Sequence, residues 1–240
     1  MLFRSLKTIG YDGIEVSLGN RDRAAYTALQ SRLTDLGLGV TTVNAPSAET
    51  NPISPDSKVR QRAIDALRED IDLAQAAGSR ILCGPLHSAF ATFSNAAPTD
   101  DEYSWSAEVL HAVGDHAAQA DVTLAVEALN RFECYLCNTA EQLKRLCDRV
   151  NHPRIKAMFD THHANIEERS LPAALDILAD HLVHVHISEN DRGIPGAGHI
   201  NFDEVFAKLN DLDYRGWLTI ESDRKSTRLN SSHLVISYAV

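Results

Sequence analysis

Cysteine is scarce, with four residues in 240, which excludes a disulfide framework as the source of stability in a chain this long. Cys134 and Cys137 form a single C-x-x-C with no second pair and no thioredoxin-like setting, so neither a zinc ribbon nor a redox motif is indicated. Apolar runs are short. None approaches the ~18 residues that a membrane helix needs, and the start has no apolar stretch followed by a cleavage signal. A cytoplasmic protein with no membrane partner is the expectation. Basic charge is in deficit: 23 Lys and Arg against 33 Asp and Glu give a net charge of −10. That balance argues against nucleic acid as a partner, because such binding depends on neutralising phosphates. No G-x-G-x-x-G follows an early strand, which argues against a dinucleotide fold.

What the sequence does have is alternation. Strand-like runs at 13–18, 38–45, 80–85, 122–127, 155–160, 182–187 and 217–221 are separated by helical segments near 21–36, 56–77, 100–120, 139–150, 170–180 and 202–210. Repeated βα units predict a parallel sheet covered by helices, either an open doubly wound sheet or a closed barrel. Residues 6–10 read as the end of a helix that should follow an earlier strand. The expectation is therefore an α/β fold, a (β/α)8 TIM barrel spanning residues 6–222. Its first strand and final helix would be missing.

The two ends read differently from the middle. "DRKSTRLNSSHLVISYAV" (223–240) resembles the conceptual translation of a sequencing adapter, and "LFRS" (2–5) resembles another frame of it. Residues 1–5 and 223–240 are accordingly expected to be non-native. The barrel would then carry an open seam beside its last strand, prone to association.

Polar residues cluster at the strand ends. Glu127 closes "LAVE", Asp160 closes "AMFD", His186 lies in "VHVHI" and Glu221 closes "LTIE". In a parallel barrel the carboxyl ends of all strands share one face, where active sites form. Three carboxylates and one imidazole suit a single hard to borderline divalent cation, Mn²⁺ first, with Co²⁺ or Mg²⁺ as alternatives. His184 shares a strand face with His186 and is expected one layer deeper as a packed, hydrogen-bonded residue. Glu15 is expected as a rim residue or a substrate contact. Arg131 reads as part of a surface ion pair.

"VEALNRFECYLCNTAEQ", "FDTHHANIEE", "HVHISENDRGIPGAGHINF" and "WLTIES" together resemble the ketose 3-epimerases of the D-tagatose/D-psicose (allulose) 3-epimerase family, within the xylose-isomerase-like TIM barrels. The resemblance covers nearly all of 6–222 and is densest from 123 onward. It implies that Glu127, Asp160, His186 and Glu221 hold the metal, and that Glu133, His163 and Arg192 bind the sugar. It also implies an isomerase that epimerises a free ketose at C3; Glu127 and Glu221, reaching the metal from opposite sides, suit the acid–base pair that such a reaction needs, and a homo-oligomer is left open. The segment "HSAFATFS" (87–94) departs from the family where substrate contacts vary.

Three other readings share some of these residues. One is a related barrel isomerase or dehydratase acting on hydroxypyruvate, inosose or a sugar phosphate. Another is a non-catalytic sugar-binding barrel. The third is a DNA-repair nuclease of the endonuclease IV type, which would recruit His87, Glu127, Asp160, His163, His186 and Glu221 around three zinc ions. That type needs an Asp-x-His where this chain has Asp191-Arg192-Gly193.

Overall fold

A computed structural model describes residues 2–222 and 235–239. The order of elements is α1 (Leu2–Ile9), β1 (Gly13–Ser17), α2 (Arg23–Thr34), β2 (Gly39–Val43), α3 (Ser57–Ala77), β3 (Ile81–Gly84), α4 (Asp100–Ala120), β4 (Thr123–Val126), α5 (Ala140–Val150), β5 (Ile155–Asp160), α6 (Thr161–Glu167), α7 (Leu171–Leu178), β6 (Leu182–Ile187), α8 (Phe202–Asp211), β7 (Trp217–Ile220) and β8 (Val235–Ala239). The strands close into a barrel in sequence order. Each of β1 to β6 runs parallel to the next. Where an open seam was expected, β8 fills the gap. It runs antiparallel to both β7 and β1, pairing Ile220 with Ile236 and Gly13 with Ser237. The α1 helix likewise starts at Leu2, inside the segment read as foreign. No helix among the described residues is long and apolar enough to cross a membrane.

The helices begin and end where local chemistry requires. Thr99 and Glu102 form a capping box on α4, and Thr139 and Gln142 form one on α5. The α3 helix stops at Gly78, whose φ of 79° lies in the left-handed region that ends helices. The short α6 was not expected from the sequence. Its N-cap is Asp160, whose Oδ1 accepts the amides of His162 (2.6 Å) and His163 (3.1 Å).

Alternation along the strands decides which residues reach the interior. Leu124 and Val126 of β4 point outward to the helices, joined by Leu82, Phe159, Val185 and Ile187. The intervening Ala125 faces inward with Cys83 and Met158. Stepping by two from Ala125 and Met158 gives Glu127 and Asp160 at the upper end of the barrel, and the same step from the buried His184 gives His186.

The lower end is filled by Trp217. A Cβ added to Gly13 or Gly39 would lie 2.8 or 2.6 Å from the indole ring, so the glycines are there to admit it. Gly39→Ala forces the indole or the strand to shift. The expected cost is about 1–3 kcal/mol, read as a lower urea midpoint at unchanged slope. An unaltered midpoint would show that the ring moves freely.

Candidate metal centre and active site

A cavity of about 460 Å³ opens at the carboxyl end of the barrel. Its lining includes Glu127, Glu133, His163, His186, Arg192 and Glu221. Asp160, 3% exposed, backs the same cluster. All seven residues singled out from the sequence are therefore brought together. A larger groove, about 710 Å³, lies between α1 and α2 but is lined by no histidine or cysteine and by a single carboxylate, Asp35.

The carboxylates are held at short range. His186 Nδ1 lies 3.2 Å from Glu221 Oε2 and 3.7 Å from Asp160 Oδ2. His163 Nε2 lies 3.6 Å from Glu127 Oε1. Arg192 Nη1 donates to Asp160 Oδ2 at 3.1 Å and to Ser188 Oγ at 2.9 Å, and also to Glu221. Ser188 Oγ in turn donates to Asp160 Oδ2 at 3.2 Å. Burial pushes the Glu127 carboxyl well above the usual range. His186 opposes that shift, while Asp160 and Glu221 add to it. Asp160 is held well below the usual range against its burial, chiefly by Arg192, then His163 and His186.

Does this donor set fit a metal? Ligand atoms of Asp160, His186 and Glu221 lie within 4.8 Å of one another, as do those of Glu127, Asp160 and His163. Four carboxylates, Glu127, Glu133, Asp160 and Glu221, surround one guanidinium here, and a fifth, Glu15, lies beneath them. Such an excess of buried negative charge calls for a cation. Oxygen donors with one imidazole suit a divalent ion of the hard to borderline kind. The residues fit.

Glu15 corrects the expectation made for it. It is not a rim residue, and both of its carboxylate oxygens are turned to histidines. It sits in the middle of β1, 1% exposed, on the cavity floor. Its Oε1 lies 2.8 Å from Nε2 of His186, and its Oε2 lies 2.9 Å from Nε2 of His184. Neither contact is aligned as a hydrogen bond. Oε2 accepts one from Thr41 at 2.8 Å and one from the Cys83 thiol at 3.3 Å. Burial works against charge on Glu15, yet His186 and then His184 hold its carboxyl well below the usual range. Conversely, Glu15 and then Asp160 raise His186 well above its usual value despite burial. One nitrogen of His186 thus faces the cluster and the other faces a fixed carboxylate. His184 lies one layer deeper and fully buried, as expected, but neither of its ring nitrogens makes the hydrogen bond expected of it.

Asn130 was not anticipated. Its backbone N–H donates to Nδ1 of His163 at 3.1 Å, so in the neutral ring the proton lies on Nε2. Burial lowers the His163 pKa, which favours that neutral form. Arg192 Nη2 approaches the same Nε2 at 2.9 Å. Asn130 Nδ2 also donates to Glu133 Oε1 at 3.1 Å. A sequence signal existed for Ser188, which continues the inward series of His184 and His186. Asn130 has none, because its role depends on the turn after β4.

The remaining expectations resolve simply. Arg131 makes a two-pronged pair with Glu167, Nε and Nη2 donating at 3.0 and 2.8 Å. Cys134 and Cys137 are buried free thiols. His87 is buried beside Cys134, 3.9 Å from its sulfur, and joins none of the ligand clusters among the described residues. That removes one residue from the three-zinc nuclease reading.

A sequence model for the xylose isomerase-like TIM barrel matches residues 3–235. The chain belongs to the xylose isomerase-like TIM barrel family. Within that family it is 35% identical over 213 residues to an L-ribulose 3-epimerase of Mesorhizobium japonicum, covering 89% of this chain and 71% of the relative. It is 30% identical to an L-ribulose 3-epimerase of Methylomonas sp., covering 89% and 74%. Among xylose isomerase-like barrels of known structure, an L-ribulose 3-epimerase superposes with a TM-score of 0.87 at 34% identity, over 91% of this chain and 73% of that one. A D-allulose 3-epimerase of Methylomonas sp., solved with D-allulose, gives 0.86 at 29% identity, over 92% and 76%.

Proposed function

We propose that the chain is a metal-dependent isomerase that interconverts free ketoses at C3. The observation that carries this reading is the placement of Glu127 and Glu221. They follow β4 and β7, three strands apart around an eight-stranded barrel, and both line the same cavity. Inverting a carbon centre through its anion requires a proton acceptor on one face and a donor on the other. Carboxylates reaching in from separated strands meet that need, and either can take either role as the direction reverses. Glu127, held above the usual carboxylate range by burial, is closer in proton affinity to the carbon acid it serves.

Glu127, Asp160, His186 and Glu221 would hold the metal, with Mn²⁺ the first choice. The ion would supply Lewis acidity to the C2 carbonyl and C3 hydroxyl oxygens as charge develops. Glu133, His163 and Arg192 orient the sugar. The Arg192 guanidinium, beside His163, would donate to a substrate oxygen and favour the negative charge that develops there. Relatives named for L-ribulose and D-psicose 3-epimerisation support the substrate class. A sugar phosphate is the poorer fit. Arg192 is the one Lys or Arg among the cavity-lining residues and is already engaged by Asp160 and Glu221. A phosphate would find no second Lys or Arg among the described cavity-lining residues.

The test is direct. The protein with Mn²⁺ is incubated with a panel of free ketoses and their phosphates, and products are resolved by chromatography. C3 epimers of free ketoses are expected. Aldoses, or turnover of phosphates alone, would overturn the reading.

The site also predicts a pH effect on metal binding. A carboxyl with a raised pKa is protonated, and so lost as a ligand, as pH falls through that value. Affinity for Mn²⁺, measured by calorimetry, should therefore weaken progressively as pH is lowered from alkaline conditions toward the ordinary carboxylate range, starting above that range. A constant affinity over that span would contradict Glu127 as a ligand.

A further inference from the structure

The loop after β6 carries Arg192, and its shape hangs on one side chain outside the catalytic set. Glu189 exposes no surface, although its loop lies at the mouth of the barrel. Its Oε1 accepts the backbone amides of Asn190 and Ile200, both at 3.0 Å, and its Oε2 accepts that of Gly196 at 2.9 Å. Burial opposes its charge, but these amides, with that of Gly198, hold the carboxyl below the usual range. A Cβ at Gly198 would lie 2.5 Å from Oε1, so the chain wraps against the carboxylate itself. One carboxylate thus ties residues 190, 196 and 200 together, as an anion organises a nest of amides.

Arg192 sits inside the span so tied. Its φ of 56° is in the left-handed region, which a side-chain-bearing residue adopts only when its surroundings impose it. Its amide donates to the Glu189 carbonyl at 3.0 Å, and its carbonyl accepts from Ser222 Oγ at 3.0 Å. From there the guanidinium reaches Asp160, Glu221 and His163.

We propose that Glu189 is a positioning residue for Arg192. Its carboxylate folds residues 189–200 into the one arrangement that delivers the guanidinium to the substrate cavity. The role of Arg192 rests on the epimerase reading above; the folding of the loop does not.

The experiment is a double-mutant cycle with a second readout. Glu189→Ala should lower kcat/KM for the best ketose by about 10²-fold through misplacement of Arg192. Glu189→Gln should fall between, because its amide NH₂ turns a donor towards backbone donors. In an Arg192→Ala background, Glu189→Ala should cost no more than about threefold further, as expected for residues acting as one unit. Hydrogen exchange at the amides of Asn190, Gly196 and Ile200 is measured in parallel, in the wild type and in Glu189→Gln, and should accelerate in the variant. Equal losses in both backgrounds would make Glu189 a structural residue only and overturn the proposal. Unchanged exchange would overturn it too, whether or not the protein turns over a ketose. Absence of wild-type turnover with accelerated exchange would instead sink the epimerase reading and leave the loop assignment standing.

Discussion

Glu127→Gln is expected to lower kcat/KM for ketose epimerisation by at least about 10³-fold. The substitution keeps the side chain's shape and removes its charge. Two functions go with the charge: a proton acceptor at C3 and one of the proposed metal ligands. Glu127 is 5% exposed, and its backbone amide donates to Gly84 O at 2.9 Å, a bond that the change leaves intact. The carboxylate it replaces is disfavoured by burial and by Asp160 and Glu221. A neutral amide there should not weaken the fold and could stabilise the metal-free protein. The signature is therefore lost turnover with an unchanged or higher unfolding temperature. Retention of most of the activity would exclude Glu127 as base and ligand together.

The second large effect falls on Glu15. Glu15→Gln should weaken Mn²⁺ binding about 10–100-fold, the usual penalty for removing the partner behind a ligating histidine. The carboxylate lies 2.8 Å from His186 Nε2 and, with that nitrogen protonated, leaves Nδ1 free to face Asp160 and Glu221. A glutamine retains the volume and can still accept from Thr41. It no longer fixes which nitrogen carries the proton. Calorimetric titration with Mn²⁺, alongside thermal unfolding of the metal-free protein, separates loss of ligand orientation from loss of fold. An unchanged affinity would make Glu15 an element of packing alone.

Much of the site was legible because two periodicities combine. Strands of a parallel barrel end on one face, and their residues alternate inward and outward. Residues placed at the ends of "LAVE", "AMFD" and "LTIE" must then converge, and His186 joins them on the inward face of its strand. Glu15 was misread because the strand-end argument treats each strand alone. It does not say that Glu15 lies mid-strand, a layer below, under a histidine from the far side of the barrel. The loop roles of Asn130 and Glu189 escaped for another reason. They are bonds between side chains and backbone amides, and no sequence period encodes a turn's amide directions. The helix α6 was hidden because seven residues give too little periodicity, and Asp160 serves at once as strand end, cap and site residue. The closing strand Val235–Ala239 lies in a tail without a clear period, and neither its pairing nor its antiparallel direction could be read from it.

The most direct test of the central claim, proton exchange at C3 between two carboxylates, is turnover in D₂O. The protein with Mn²⁺ is carried to equilibrium with its best free ketose, and the product is read by NMR. The account predicts deuterium at C3 of the epimer, with C1 and C4 retaining their protons. Deuterium at C1 with formation of an aldose, or at C4 with C3 untouched, would contradict it.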